Sequence, residues 1–201
     1  MISKKAIIYP NVILGKNIII EDFCIIGKPY DLIDKKSKTM IGDSAKIRSH
    51  SIIYSGNNIG NNFSTGHFCL IRQNNQIGNN VSAGSHSEIG YNVIIENYTR
   101  IHSQAFISEY SILKEKSWIG PQAMLVNTKY PKHPNAKKNL KGPFIGVNAK
   151  IGANSTIMSG VRIGDNCLIG AGSVVLKNTN RNSIYAGVPA KFIRKIHYFN
   201  D

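Results

Sequence analysis

Isoleucine or leucine recurs at every sixth position through most of this sequence. In steps of six from residue 41 to residue 125, thirteen of the fifteen positions are Ile or Leu, and Thr65 and Ala83 are the exceptions. The same ladder precedes and follows this stretch, at Ile8, Leu14, Ile20, Ile26, Ile145, Ile151, Ile157, Ile163, Ile169 and Val175. A period of six fits neither an amphipathic helix nor a single alternating strand. It predicts an all-β solenoid of short parallel strands, in which each coil buries the next.

Three six-residue units form one coil in such a solenoid, so residues eighteen apart should be neighbours on one face. The strand spacing of a sheet sets adjacent coils about 4.8 Å apart. The residue four places after each Ile is mostly small, as a narrow interior requires. The sequence therefore predicts a parallel β-helix of about eight coils.

Two segments interrupt the ladder, at residues 27–40 and 126–144. Both are rich in lysine, and the second contains Pro131, Pro134 and Pro143. Each lies between regular repeats, which predicts two loops that protrude from the solenoid, and the count from Ile26 and Leu125 places both on one face. We expect a β-helix domain over 1–182 and a cap over 183–201, formed by a strand and a short helix at 191–199.

The formal net charge is +14 and the sequence pI is about 9.8, which favours an anionic partner. The basic residues are dispersed and no aromatic-interleaved basic motif is present, so no nucleic-acid partner is expected. No stretch approaches the length of a membrane span, which predicts a cytoplasmic protein without membrane insertion. Cys24, Cys69 and Cys167 share one position of the hexad, which predicts buried free thiols.

Four histidines belong to one column of hexads. His50, His67, His86 and His102 each follow a ladder position of that column, and the weak rungs Thr65 and Ala83 lie in it too. We expect these side chains to point outward and to converge on successive coils, where His67, His86 or His102 is a candidate base. The alternative is that they are ordinary surface histidines. They lack the close pairing typical of a zinc site, so no metal is expected.

Glu109 and Asn127 form a second predicted pair. They are eighteen residues apart and occupy the same hexad position, at the start of the 126–144 loop. A carboxylate beside an amide is suited to hold a substrate ammonium or hydroxyl group. The alternative is a corner asparagine that makes ordinary turn hydrogen bonds.

The repeats resemble the left-handed β-helix hexapeptide acyltransferases. The segments 118–122, 127–131, 151–157 and 160–164 are similar to the sub-group that N-acetylates nucleotide-linked amino sugars. The tail, Gly170-Ala-Gly-Ser-Val174 with Ala186-Gly-Val-Pro-Ala190-Lys191, resembles the acetyl-CoA end of that family. The left-handed sense comes from this resemblance alone, because the usual crossover is right-handed.

The resemblance implies a homotrimer with active sites between subunits and acetyl-CoA along the C-terminal coils. Ala153 and Ala171 would contact the pantetheine arm through their backbones. Lys177, Lys191 and Arg194 would face the nucleotide phosphates, where cations are expected on physical grounds. An ordinary solvated end of the solenoid is the alternative for these three basic residues.

Members of the family that acetylate hydroxyl groups carry a histidine near the start of the large loop, where this sequence has Asn127. An amine needs less help from a base than a hydroxyl does, because its neutral form is nucleophilic. The sequence therefore predicts an acetyl-CoA-dependent N-acetyltransferase for a nucleotide-linked amino sugar of surface polysaccharide. The alternatives are an O-acetyltransferase for a sugar or serine, a zinc β-helix protein of the carbonic-anhydrase type, and a purely structural solenoid.

Overall fold

The computed structural model describes residues 1–31 and 37–196, and in these ranges the chain is a three-sided parallel β-solenoid. Successive strands visit face 1, face 2 and face 3 in turn. Face 1 has nine strands: Ile7–Ile8, Ile25–Lys28, Ile52–Tyr54, Leu70–Ile71, Glu88–Ile89, Phe106–Ile107, Met124–Leu125, Thr156–Ile157 and Val174–Val175. Face 2 has eight: Val12–Leu14, Thr39–Ile41, Asn58–Ile59, Gln76–Ile77, Ile94–Ile95, Ile112–Leu113, Phe144–Ile145 and Arg162–Ile163.

Face 3 closes the coil with ten strands. They are Ile19–Ile20, Lys46–Ile47, Ser64–Thr65, Ser82–Ala83, Arg100–Ile101, Trp118–Ile119, Lys150–Ile151, Leu168–Ile169, Ser183–Ala186 and Lys191–Lys195. All pairs are parallel except the last two strands, which are antiparallel. The three faces have nine, eight and ten strands, so the solenoid has nine to ten coils and not eight, because residues before Ile8 and after Val175 also add rungs.

The register between coils follows the ladder. Ile71 pairs with Ile89, Ile89 with Ile107, and Ile107 with Leu125, at intervals of eighteen residues. These side chains are fully buried and stack along the axis of the solenoid. Burial of one such side chain contributes about 1.5–3 kcal/mol, so the repeated rung is the main source of stability.

The two predicted loops leave the same edge of the solenoid. One follows the face 1 strand Ile25–Lys28 and the other follows Met124–Leu125, and both return to face 2. The second loop contains a 3-10 helix, Ala136–Asn139. Residues 32–36 of the first loop lie outside the described residues. We call the edge between faces 1 and 2, which carries both loops, the loop corner.

The predicted C-terminal helix over 191–199 is wrong for the described part of that segment. Lys191–Lys195 is a strand that folds back antiparallel onto Ser183–Ala186, which itself continues face 3 beside Leu168–Ile169. The open sheet edge supplies backbone partners to this segment, and a helix would leave that edge unpaired. Residues 197–201 lie outside the described residues.

All three cysteines are buried free thiols, as predicted. Complete burial raises the pKa of Cys69 to about 11, and burial also raises the pKa of Cys24 and Cys167. Within the described ranges, no helix has the length and apolar character that crossing a membrane requires.

Candidate active site

Glu109 and Asn127 are direct neighbours on the loop corner. The Asn127 Nδ2 amide donates a hydrogen bond of 2.6 Å to Oε2 of Glu109 across adjacent coils. Each follows a face 1 rung by two residues, after Ile107 and Leu125, and the pairing of those rungs sets the contact. The loop is fixed at the same point, because the Lys141 amide donates to the Asn127 carbonyl at 2.8 Å. The predicted adjacency is confirmed.

Two tyrosines that were not singled out from the sequence extend this site. Tyr91 lies one coil before Glu109 in the same column, and its ring meets the ring of Tyr110 edge-on at 5.5 Å. Burial raises the pKa of Tyr91, and the hydrogen bond with Tyr110 and the charge of Glu109 add to the effect. The two rings form an aromatic wall beside the polar pair. The eighteen-residue count that paired Glu109 with Asn127 also places Tyr91 in this column.

The inserted loop encloses a cavity of about 330 Å³ beside Asn127. Lys129, Tyr130, His133 and Lys141 are among the residues that line it. His133 Nδ1 accepts a hydrogen bond of 3.1 Å from the Asn135 amide, so this ring is engaged within the loop. The cavity therefore presents cationic side chains next to the Glu109–Asn127 pair.

The four histidines lie on a different edge, between faces 3 and 1, which we call the histidine corner. The expectation that all four converge is wrong, because only His50 and His86 share a hexad position, while His67 and His102 each occupy another. His50 and His86 stack on opposite sides of Phe68, and their ring centroids lie 4.6 Å and 5.0 Å from the Phe68 centroid, respectively. His67 instead contacts Ser49 Oγ through Nδ1 at 2.9 Å.

His102 is the histidine with the most distinctive environment. Its ring packs against Trp118 at 4.5 Å between centroids, and its Nε2 is buried with no hydrogen-bond partner among the described residues. Partial burial lowers the pKa of His102, and the charge of Arg100 lowers it further. His102 also borders a groove of about 230 Å³. A neutral imidazole with an unpartnered nitrogen is suited to accept a proton.

The residues expected to meet acetyl-CoA lie in three places, the two corners and the last strand of face 3. Ala153 and Ala171 follow face 3 rungs and lie on the histidine corner with His102, whereas Lys177 follows a face 1 rung on the loop corner. Lys191 and Arg194 are exposed on the last strand. In a single chain the other candidate residues thus form two sets, one on each corner, while Lys191 and Arg194 lie at the end of face 3. In the described ranges, no group of three His, Cys, Asp or Glu side chains is arranged to hold a metal ion.

Comparison with known proteins agrees with this architecture. Residues 142–177 match the family model described as Bacterial transferase hexapeptide (six repeats). The C-terminal coils of the chain thus carry the hexapeptide repeat of this transferase family. The Galactoside O-acetyltransferase of Escherichia coli (strain K12) is 38% identical to this chain over 106 residues, which are 47% of this chain and 52% of that protein.

Two further similarities extend over nearly the whole chain. The Bifunctional protein GlmU of Clostridium beijerinckii is 30% identical over 183 residues, which are 91% of this chain and 37% of that protein. The crystal structure of the Francisella novicida UDP-N-acetylglucosamine acyltransferase aligns with a TM-score of 0.60 at 18% identity, over 96% of this chain and 69% of that chain. The latter shows a shared fold. The chain spans about half the length, or less, of the curated relatives it matches.

Proposed function

We propose that the protein is an acetyl-CoA-dependent N-acetyltransferase whose acceptor is a nucleotide-linked amino sugar of surface polysaccharide synthesis. The observation that carries the proposal is the hydrogen bond between Asn127 and Glu109 at the base of the inserted loop. Relatives with acetyltransferase and acyltransferase names support the reaction class.

The Glu109–Asn127 pair favours an amine as the acceptor group. The contact uses Oε2 of Glu109 and Nδ2 of Asn127, and no described residue donates to Glu109 Oε1 or Asn127 Oδ1. The two remaining acceptor oxygens match the two hydrogens of a neutral amine, whereas a hydroxyl group has one. We infer that these oxygens orient the amine, and the Tyr91 and Tyr110 rings pack against the sugar.

The reaction is an attack of the amine nitrogen on the thioester carbonyl of acetyl-CoA. A tetrahedral intermediate forms, the carbon–sulfur bond breaks, and the amine proton passes to the thiolate or to a nearby base. Backbone N–H groups at the cleft stabilise the oxyanion. His102 is the candidate base, while His86 and His67 are weaker candidates because their rings are engaged with Phe68 and Ser49.

We propose that the protein is a homotrimer and that each active site lies between two subunits. The candidate residues occupy two corners of one chain, and a closed three-fold arrangement brings the histidine corner of one subunit against the loop corner of its neighbour. Acetyl-CoA would then lie along Ala153 and Ala171, with Lys177, Lys191 and Arg194 toward its phosphates. The charge of +14 favours two polyanionic substrates.

The test is a thiol-release assay with the purified protein and acetyl-CoA. The acceptors are a panel of nucleotide-linked amino sugars, the matching free amino sugars, and hydroxyl acceptors including a galactoside and serine. We expect CoA release with a nucleotide-linked amino sugar and an N-acetyl product by mass spectrometry. Release with hydroxyl acceptors alone would overturn the proposal.

An O-acetyltransferase is the second candidate, and His102 is the observation that favours it. A hydroxyl acceptor needs a base, and the unpartnered Nε2 of His102 with its lowered pKa meets that requirement. In that case the pH–rate profile should follow one histidine and amine acceptors should be ignored. The same acceptor panel separates the two candidates.

A further inference from the structure

Two cations on the loop corner share one aromatic ring. Lys28 Nζ lies 5.6 Å from the centroid of the Tyr54 ring, and Arg72 Cζ lies 5.3 Å from the same centroid. All three side chains are half-buried. Lys28 belongs to the coil before Tyr54 and Arg72 to the coil after it, so both charges contact one ring near the start of the first inserted loop.

The cations have no matching negative charge in the described part of the chain. Neither Lys28 nor Arg72 takes part in an ion pair there, whereas Lys5, Arg48, Lys114 and Lys116 each contact a carboxylate. Arg72 donates through Nε to Gln73 Oε1 at 3.3 Å, which leaves both terminal nitrogens of the guanidinium for another acceptor. Two cations on one surface without a counterion favour an anion that contacts both of them.

The position of Arg72 is fixed by its backbone and not by its charge. Its carbonyl accepts from the side-chain amides of Asn57 and Asn75, both at 2.8 Å. The rung before it, Ile71, pairs with Ile53 and Ile89. The guanidinium is therefore presented from a rigid coil, and a substitution that removes its charge leaves these contacts in place.

The cation pair faces the same corner as Glu109 and Asn127. Two coils separate Arg72 from Glu109, which is about 10 Å at the spacing of parallel strands. Gly90 occupies the intermediate position and contributes no side chain, and Tyr91 lies close enough for the charge of Arg72 to act on its phenol. An extended ligand can thus lie along this corner, with an anionic part at Arg72 and an amine at Glu109.

We propose that Lys28, Tyr54 and Arg72 form a binding subsite for the diphosphate group of the acceptor. The proposal rests on the N-acetyltransferase function above and assigns its acceptor to compounds that carry a diphosphate. A guanidinium binds phosphate oxygens in a bidentate manner, and the lysine adds a second charge-assisted contact. The phosphates of acetyl-CoA have the same chemistry, so the experiment includes both ligands.

The direct test is calorimetric titration with UDP, inorganic pyrophosphate and CoA as separate probes. The variants are Lys28→Gln and Arg72→Gln, and the matched control is Arg162→Gln. Arg162 lies 3.8 Å from the Phe144 centroid on face 2, so its substitution removes an equal charge and a cation–π contact elsewhere. Thermal unfolding of each variant checks that the solenoid is intact.

We expect Lys28→Gln and Arg72→Gln each to weaken UDP and pyrophosphate binding at least about tenfold, with CoA binding unchanged. Arg162→Gln should stay within about twofold of the wild type for all probes. In turnover, Arg72→Gln should raise KM for the nucleotide-linked acceptor and leave both KM for acetyl-CoA and the rate with a phosphate-free amino sugar unchanged.

Equal UDP affinity in all four proteins overturns the subsite. A loss of CoA affinity instead of UDP affinity also overturns it, because the cations then serve the donor. If UDP binding depends on Arg72 but no acetyl transfer is found, the N-acetyltransferase function fails and the diphosphate site stands. If the protein transfers acetyl groups but Arg72→Gln changes neither UDP affinity nor KM for the acceptor, the diphosphate subsite fails and the N-acetyltransferase function stands.

Discussion

The Asn127 amide and the Glu109 carboxylate are joined by a hydrogen bond of 2.6 Å between adjacent coils, although eighteen residues separate them in the chain. The contact fixes one carboxylate oxygen and one amide proton, and it leaves an acceptor oxygen on each side chain. These two oxygens are the part of the molecule on which the choice of acceptor depends.

Asn127→Ala and Glu109→Gln should each lower turnover at least about tenfold, because the first removes an acceptor oxygen and the second removes the charge that attracts the amine. The measurement is the rate of CoA release at saturating acetyl-CoA. Gln76→Ala is a suitable control, since its side chain is exposed on face 2, away from both corners, and accepts a hydrogen bond of 3.2 Å from Asn58. Wild-type rates in both site variants would remove this pair from the active site.

Subunits that carry His102→Ala and subunits that carry Asn127→Ala should complement each other when they are co-expressed. If each site takes His102 from one subunit and Asn127 from its neighbour, about a quarter of the sites in randomly mixed trimers are intact. Activity should therefore recover to about a quarter of the wild-type rate. Light scattering should give the mass of a trimer. Mixed trimers that stay inactive would place both residues in one subunit's site or exclude one of them.

The lowered pKa of His102 predicts how the stability of the fold depends on pH. Because the folded state lowers this pKa below 6.5, the unfolded chain binds more protons as the pH falls through that range. The contribution of His102 should oppose folding below about pH 6.5 and be absent above it. The melting temperature of His102→Gln should thus fall less than that of the wild type between pH 7 and pH 5. A parallel decline in both proteins contradicts the assignment.

Ile94 and Ile95 are adjacent in one strand of face 2 but have opposite environments. Ile95 is 1% exposed in the core, and Ile94 is 43% exposed. Ile95→Ala should lower the free energy of unfolding by about 2–5 kcal/mol, because it leaves a cavity in the ladder. Ile94→Ala should change it by about 0.5 kcal/mol or less. Equal effects in denaturant titrations would show that the six-residue rung is not the source of stability.

The three thiols should be unreactive in the native protein. Burial raises the pKa of all three, and Cys69 reaches about 11, so the thiolate that attacks a disulfide reagent is scarce at pH 8. We expect negligible labelling by an aromatic disulfide in buffer and three equivalents in denaturant. Rapid native labelling of one thiol would locate an opening of the solenoid at that coil.

The ladder of isoleucines was sufficient to predict the coil register, the buried thiols and the corner from which both loops leave. Each follows from counting residues, because each coil repeats its neighbour. The direction of a surface side chain does not follow from the count. Thus Glu109 and Asn127 were paired correctly because they share a hexad position, whereas His67, His86 and His102 occupy three different positions and point to different neighbours.

The cation pair at Tyr54 was missed for a related reason. Lys28 lies at the edge of a loop where the register shifts, so its contact with the Tyr54 ring is not given by a step of eighteen. The C-terminal strand was missed because five residues such as Lys191–Lys195 carry no decisive periodicity. There, the sheet edge that accepts the strand determines its conformation.

The two inserted loops leave the same corner of the solenoid, so their separation along the axis is a whole number of coils. Five rungs of face 1 separate Ile25–Lys28 from Met124–Leu125, which is about 24 Å along the axis. Loss or gain of eighteen residues between them would change that distance by the spacing of one coil and leave both loops on the same corner. Loss of only six would rotate the second loop by about a third of a revolution onto another edge. A solenoid of this kind can thus accommodate a longer or shorter ligand by gaining or losing whole coils between its loops, without a change of fold.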